Sequence, residues 1–70
     1  MTNIQKQFGN RIRELRTSRG PSQEELSFKC DLHRTYISDI ERGSRNISLK
    51  NIESIALALN VSLSEVFKNL

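Results

Sequence analysis

The chain has little with which to do covalent chemistry. One cysteine in 70 residues excludes an internal disulfide. A single Cys and a single His fall short of the ligand set that common Cys/His metal sites need. No nucleophile sits at a recognisable spacing from a base, and the glycines at 9, 20 and 43 make no phosphate-cradling loop. No run reaches the roughly 18 apolar residues of a membrane span, and no apolar signal region opens the chain. The expectation is a soluble, intracellular protein that is not an enzyme and uses no cofactor, metal or membrane. Cys30 is expected to be a small buried residue rather than a redox sensor.

What is present is helical grammar. Hydrophobic residues make up 36% of the sequence, enough for one small helical core with little margin. Ile4, Phe8, Ile12 and Leu15 recur at spacings of four, four and three, marking one face of a helix that begins near Thr2 or Asn3 and runs to Arg19. Gly20 and Pro21 end it. Gly9, in its middle, costs about 1 kcal/mol relative to Ala, with no compensation visible in the sequence.

The most informative stretch is Ser22 to Gly43. Ser22-x-x-Glu25 is a capping box that opens a short helix running to about Cys30, with Leu26 and Cys30 on one face. Asp31-Leu32-His33 reverse the chain, with Leu32 turning inward. A second helix from Arg34 to Arg42 buries Ile37 and Ile40, and Gly43 supplies the left-handed residue that ends it. With those isoleucines inward, Thr35, Ser38, Asp39 and Arg42 point outward, flanked by Arg34 and Tyr36. Two helices joined by so short a turn form a helix-turn-helix, which presents its second helix to the major groove of DNA.

Beyond the loop GSRNI, Ser48 caps a fourth helix with Ile47 stapled onto Ile52. Leu49, Ile52, Ile55, Ala56 and Leu59 fall on one broad face, while Leu57 lies off it. Asn60 is the expected left-handed terminator, Ser62-x-x-Glu65 a second capping box with Val61 stapled onto Val66, and Leu63, Val66, Phe67 and Leu70 belong to a short fifth helix. The fold class expected is all-α: one compact five-helix domain over residues 1–70, with the helix-turn-helix at 22–43 and C-terminal helices at 48–70 that carry a dimer interface. Charge is uneven along it. Residues 1–20 hold five bases against Glu14, residues 21–45 hold four bases against five acids, and residues 46–70 balance. A basic first helix beside a polar reading helix suits a polyanion.

The strings SQEELS, HRTYISDIERG and SLKNIESIALALNVSLSEVF resemble the phage-repressor class of helix-turn-helix proteins, the lambda- and 434-repressor-like or Cro/C1 (XRE-like) type. Within it, RTYISDIERGSRN is most similar to the controller proteins of bacterial restriction–modification systems. The likeness runs from about Phe8 to Phe67. It implies a lambda-repressor-like DNA-binding domain in a bacterial or phage-encoded cytoplasmic protein. It also implies a transcriptional regulator whose partners are double-stranded operator DNA, a second copy of itself and RNA polymerase. A controller would bind upstream of its own gene and the endonuclease gene, activating at one occupancy and repressing at a higher one. One departure is Pro21, where the family usually has an aliphatic residue before the capping serine.

The resemblance also distributes roles. Gln23, at the amino end of its helix, matches residues that contact phosphate, the alternative being a solvated polar side chain. Arg34 and Thr35 match the base-reading positions. An Arg can donate twice to guanine O6 and N7, and a Thr methyl can meet a thymine methyl; as an alternative, Arg34 clamps a phosphate. Ser38 and Asp39 continue the base-reading row, with Asp39 accepting from a cytosine amino group or orienting Arg34 or Arg42. Tyr36 resembles the controller tyrosine that lies near the backbone and an easily kinked pyrimidine–purine step, against a plainer role packing over the turn. Arg42, Arg45, Asn46 and Asn51 complete the expected backbone contacts. His33 is expected to be a turn or cap residue, with a phosphate contact as the alternative. Glu41 matches a family glutamate that pairs with an Arg of the first helix, which the spacing to Gln23 places at Arg16.

A single reading helix buries too little surface for useful specificity. Two related by a two-fold axis read a pseudo-palindrome with half-site centres about 34–36 Å apart or a multiple. Leu57 and Leu70 are the candidates for that dimer interface, Leu57 otherwise being an isolated exposed leucine. Other readings remain: a phage-type repressor, an antitoxin's DNA-binding half or, in a different class, a small helical adaptor that binds protein through its basic first helix.

Overall fold

A computed structural model describes residues 3–70, and its five helices follow the capping signals closely. Helix α1 spans Ile4–Arg19, α2 Gln23–Cys30, α3 Arg34–Arg42, α4 Leu49–Leu59 and α5 Leu63–Val66. Thr2 lies outside the described residues; Asn3 caps α1, its side chain accepting from the backbone N–H of Gln5 and Lys6. Ser22 and Glu25 close both halves of their capping box. Gly20, Gly43 and Asn60 end α1, α3 and α4 in the left-handed region. The α2–α3 turn is closed by Asp31 at φ 57°, which lets the Leu32 N–H reach back to the Ser27 carbonyl. His33 then caps α3, its Nδ1 accepting from the Thr35 N–H at 3.0 Å, so the ring proton sits on Nε2.

The core gathers one face of every helix. Ile12, Leu26, Ile37, Ile40, Ile55 and Val66 are wholly buried, with Phe8, Leu15, Cys30, Ile52, Ala56 and Leu59 packed around them. Leu32, Tyr36, Ile47 and Val61 close the edges. Burial pushes the Cys30 thiol up from its ordinary pKa, as befits a packing residue. α5 is held by a tilted Phe8–Phe67 ring pair 5.6 Å apart. Arg11 also holds it, its Nε and Nη2 donating to the Glu65 carbonyl at 3.1 and 2.7 Å.

Four expectations change. Leu49, placed on the inward face of α4, is 74% exposed. A helical side chain leans toward the turn before its own Cα, so one at the first helical position projects past the end of the helix, where nothing faces it. Ile4, in the first turn of α1, is likewise more than half exposed. Glu65 does not complete a second capping box: Ser62 Oγ accepts from the Glu65 N–H, but the Glu65 carboxylate is drawn off to Arg11 Nη2 at 3.1 Å. The fifth helix is a single turn, leaving Leu63, Phe67 and Leu70 partly exposed.

Gly9 now has a reason. A Cβ there would lie 2.3 Å from the Ile40 carbonyl oxygen and 2.9 Å from that of Glu41. The glycine lets the backbones of α1 and α3 touch, which fixes the angle at which α3 is presented.

Candidate nucleic-acid interface

The platform beneath α3 is a buried carboxylate. Glu41 sits at the inner edge of α3, its side chain fully buried, and takes a fork from Arg16: Nε to Oε2 at 2.7 Å and Nη2 to Oε1 at 3.1 Å. Gln23 Nε2 donates to Oε1 at 3.0 Å, and Arg13 Nε reaches the same oxygen at 3.5 Å. The remaining Arg16 nitrogen, Nη1, donates to the Pro21 carbonyl at 3.1 Å. Helices α1, α2 and α3 are thus pinned at one point. Burial alone would push the Glu41 carboxyl up. The Arg16 fork, the Gln23 amide, the Arg16 charge and Arg13 outweigh it and hold the group below its ordinary value of 4.5.

The outer face of α3 carries the expected row. Arg34, Thr35 and Arg42 are exposed and Ser38 half-buried, and together they line a shallow concavity along the helix. A second one, at the amino end of α2, is lined by Arg16, Ser22, Gln23, Glu24 and Arg34. It is open, backed by a helix N-terminus, and bears two arginines against one glutamate, a setting that favours an anion. Gln23 stands between the two sites, with one amide proton on Glu41 and the rest of the group at the α2 terminus.

At the carboxyl end of α3 the side chains have already found one another. Asp39 Oδ1 accepts from Arg42, and its Oδ2 from Arg45 Nε at 3.3 Å. The Arg45 guanidinium lies over the Tyr36 ring, 4.9 Å from its centroid. The Tyr36 hydroxyl accepts from Asn51 Nδ2 at 3.1 Å. Ser44 folds the following turn onto the helix, its N–H and Oγ both donating to the Asp39 carbonyl. Asn46 is exposed in the loop beyond. Arg34 and Asp39 do not meet; the carboxylate is committed to Arg42 and Arg45. Two participants escaped the sequence reading: Arg13, whose signal was its spacing of three from Arg16, and Ser44, which had none. Leu57 stands 74% exposed and Leu70 partly exposed.

A donor-rich helix presented on the far side of a buried ion pair that pins it to its neighbours defines a helix-turn-helix protein of the kind that reads duplex DNA. Comparison with known proteins narrows this. A family model described as helix-turn-helix matches residues 12–66. Control protein C.BamHI of Bacillus amyloliquefaciens is 62% identical over 60 residues, covering 84% of this chain and 74% of that protein. The crystal structure of the restriction-modification controller protein C.AhdI from Aeromonas hydrophila superposes with a TM-score of 0.91 at 47% identity, covering 94% of this chain and all 100% of that one. A variant of C.Esp1396I bound to its highest-affinity operator site superposes with a TM-score of 0.86 at 37% identity over 96% of this chain and 88% of that one. The chain belongs to the helix-turn-helix family and, within it, to the restriction–modification controller proteins.

Proposed function

We propose that the protein is a sequence-specific transcriptional regulator of a restriction–modification system, binding a pseudo-palindromic operator as a homodimer. The observation that carries this reading is the outer face of α3, where Arg34 and Thr35 stand exposed at the amino end of a helix pinned from behind by Glu41. In this reading Arg34, Thr35 and Ser38 face base edges, and Asp39 orients the arginines to which it is tied. Gln23, Tyr36, Arg42, Arg45, Asn46 and Asn51 face the backbone. RNA polymerase is the partner through which occupancy becomes transcription.

Arg34→Ala is expected to cost about 1–3 kcal/mol on the cognate site and to relax preference at one base pair per half-site. Arg45→Ala should lower the salt slope on the cognate duplex by about one per subunit without relaxing preference at any one base pair. Binding titrations of both variants over a salt series, on cognate and scrambled duplexes, test the assignment. Equal weakening of both duplexes by Arg34→Ala makes that residue a phosphate contact. A parent with neither sequence preference nor salt dependence would be an adaptor.

Geometry supports the dimer. A nine-residue reading helix is about 14 Å long, enough for one major-groove half-site. A protomer 34 Å in its longest dimension carries one such helix. Leu57 and Leu70 offer exposed apolar area, and each leucine buried between two copies contributes about 1.5–3 kcal/mol. Leu57→Glu is therefore expected to give a folded monomer with weakened operator binding. Sedimentation at micromolar concentration reads it out: a monomeric parent, on and off DNA, removes the dimer, and a variant dimer moves the interface elsewhere.

A further inference from the structure

The cluster at the carboxyl end of α3 presents a conflict. A carboxylate on a face meant for phosphates is repelled by them, yet Asp39 lies in the middle of that face, its side chain largely buried beneath two arginines. Those arginines, 42 and 45, are exposed cations assigned above to the DNA backbone. Both are tied to one carboxylate, Arg42 from within the helix and Arg45 from the loop that Ser44 folds back. Tyr36 holds Arg45 from the other side. An arginine engaged this way has to exchange a carboxylate for a phosphate when DNA arrives.

We infer that Asp39 is a positioning residue that acts as a built-in competitor for phosphate, holding Arg42 and Arg45 back in the free protein and so suppressing binding to non-cognate DNA. The inference rests on the DNA-binding reading above. On random sequence the only return for releasing the two arginines is the phosphate contact itself, and the lost ion pairs offset much of it. On the cognate site the contacts of Arg34 and Thr35 hold the helix in the groove, and the exchange proceeds. Discrimination is raised by weakening the wrong complexes rather than by strengthening the right one. Holding Arg45 over Tyr36 also stores the guanidinium beside the groove in a defined orientation, which reduces the side-chain ordering left to the complex.

The test compares the parent with Asp39→Asn, which keeps shape and removes charge. Binding is measured on a random-sequence duplex and on the duplex that the parent itself selects from a randomised pool. An exposed ion pair is worth a few tenths to about 1 kcal/mol, so freeing two arginines should tighten random-sequence binding about three- to tenfold and steepen the salt slope by up to about 0.9 per arginine. The selected duplex should gain about twofold or less, so the specificity ratio falls. Asp31→Asn is the control for net charge: it removes a carboxylate from the α2–α3 turn at a left-handed position that Asn also adopts. Equal tightening by Asp31→Asn and Asp39→Asn overturns the inference, as does unchanged random-sequence binding in Asp39→Asn. Loss of selected-duplex affinity at one base pair makes Asp39 a base reader instead, and also overturns it. In the double variant Asp39→Asn/Arg45→Ala much of the gain should vanish; a gain that persists in full removes Arg45 from the mechanism. The Nε–H resonances of Arg42 and Arg45 in the free protein supply a readout without DNA. They should move in Asp39→Asn and stay in Asp31→Asn, even for a parent that binds no duplex, and resonances that do not move overturn the restraint itself.

Discussion

Glu41→Ala should unfold more easily than the parent by about 3–5 kcal/mol, because it strands the buried end of Arg16 and removes the acceptor of Gln23 and Arg13 together. In a domain of this size that is a Tm loss of tens of degrees, at about 4–8 °C per kcal/mol. Arg16→Ala should lose a comparable amount for the converse reason, since Glu41 then holds an uncompensated charge. The double change Arg16→Met/Glu41→Leu should recover part of the loss, as buried ion pairs often give way to apolar packing at little net cost. Acid separates the charge from the shape. The folded Glu41 carboxyl titrates below its ordinary 4.5. Its contribution is thus complete above that value and is lost as pH falls through the lower folded one. The Tm of the parent should therefore fall below about pH 4.5, and Glu41→Gln, less stable at neutral pH, should lose less over the same interval. Single variants that melt with the parent at pH 7 would mean that the pair contributes nothing.

Gly9→Ala sets two effects of opposite sign against each other. Helix propensity alone favours alanine by about 1 kcal/mol. Against it stands a methyl 2.3 Å from a backbone carbonyl oxygen that no rotamer change can move aside. Overpacking of this kind costs about 1–3 kcal/mol and occasionally more, and here it also pushes α1 away from the element that carries the reading residues. The expected result is a net loss of stability in urea denaturation, with weaker DNA binding even where the variant is folded. A variant as stable as the parent or more so would show that the helices separate freely.

The local grammar was legible because capping is a matter of three or four residues. Ser22 with Glu25, the glycines at 20 and 43 and Asn60 each act through hydrogen bonds to chain neighbours, and each does what its position implies. Periodicity found the core faces along the helices, to the last residues of α2 and α4, and failed in the first turns of α1 and α4. Leu49 and Ile4 keep the spacing, but the bundle does not extend over them. Gly9 was visible as a cost without a cause, since the cause lies some 30 residues away on another helix. The site was legible at the level of which residues occupy the outer face of α3. Its pairing was not: Asp39 had several arginines within plausible reach, and only the fold of the 43–45 turn brings Arg45 rather than Arg34 to it. Glu65 shows the same limit, a capping carboxylate outbid by an arginine 54 positions earlier.

Cys30, the chain's one thiol, is buried at the carboxyl end of α2 and, by its raised pKa, held in its unreactive form. A reagent-accessible cysteine placed on the surface, such as Thr17→Cys on α1, would therefore be labelled selectively without first removing the native one. In the proposed dimer each copy would carry one probe, and a single inter-probe distance would report the assembly. The wild-type background is in that sense already prepared for spin-label or fluorescence work on whether two copies associate, free and on a duplex.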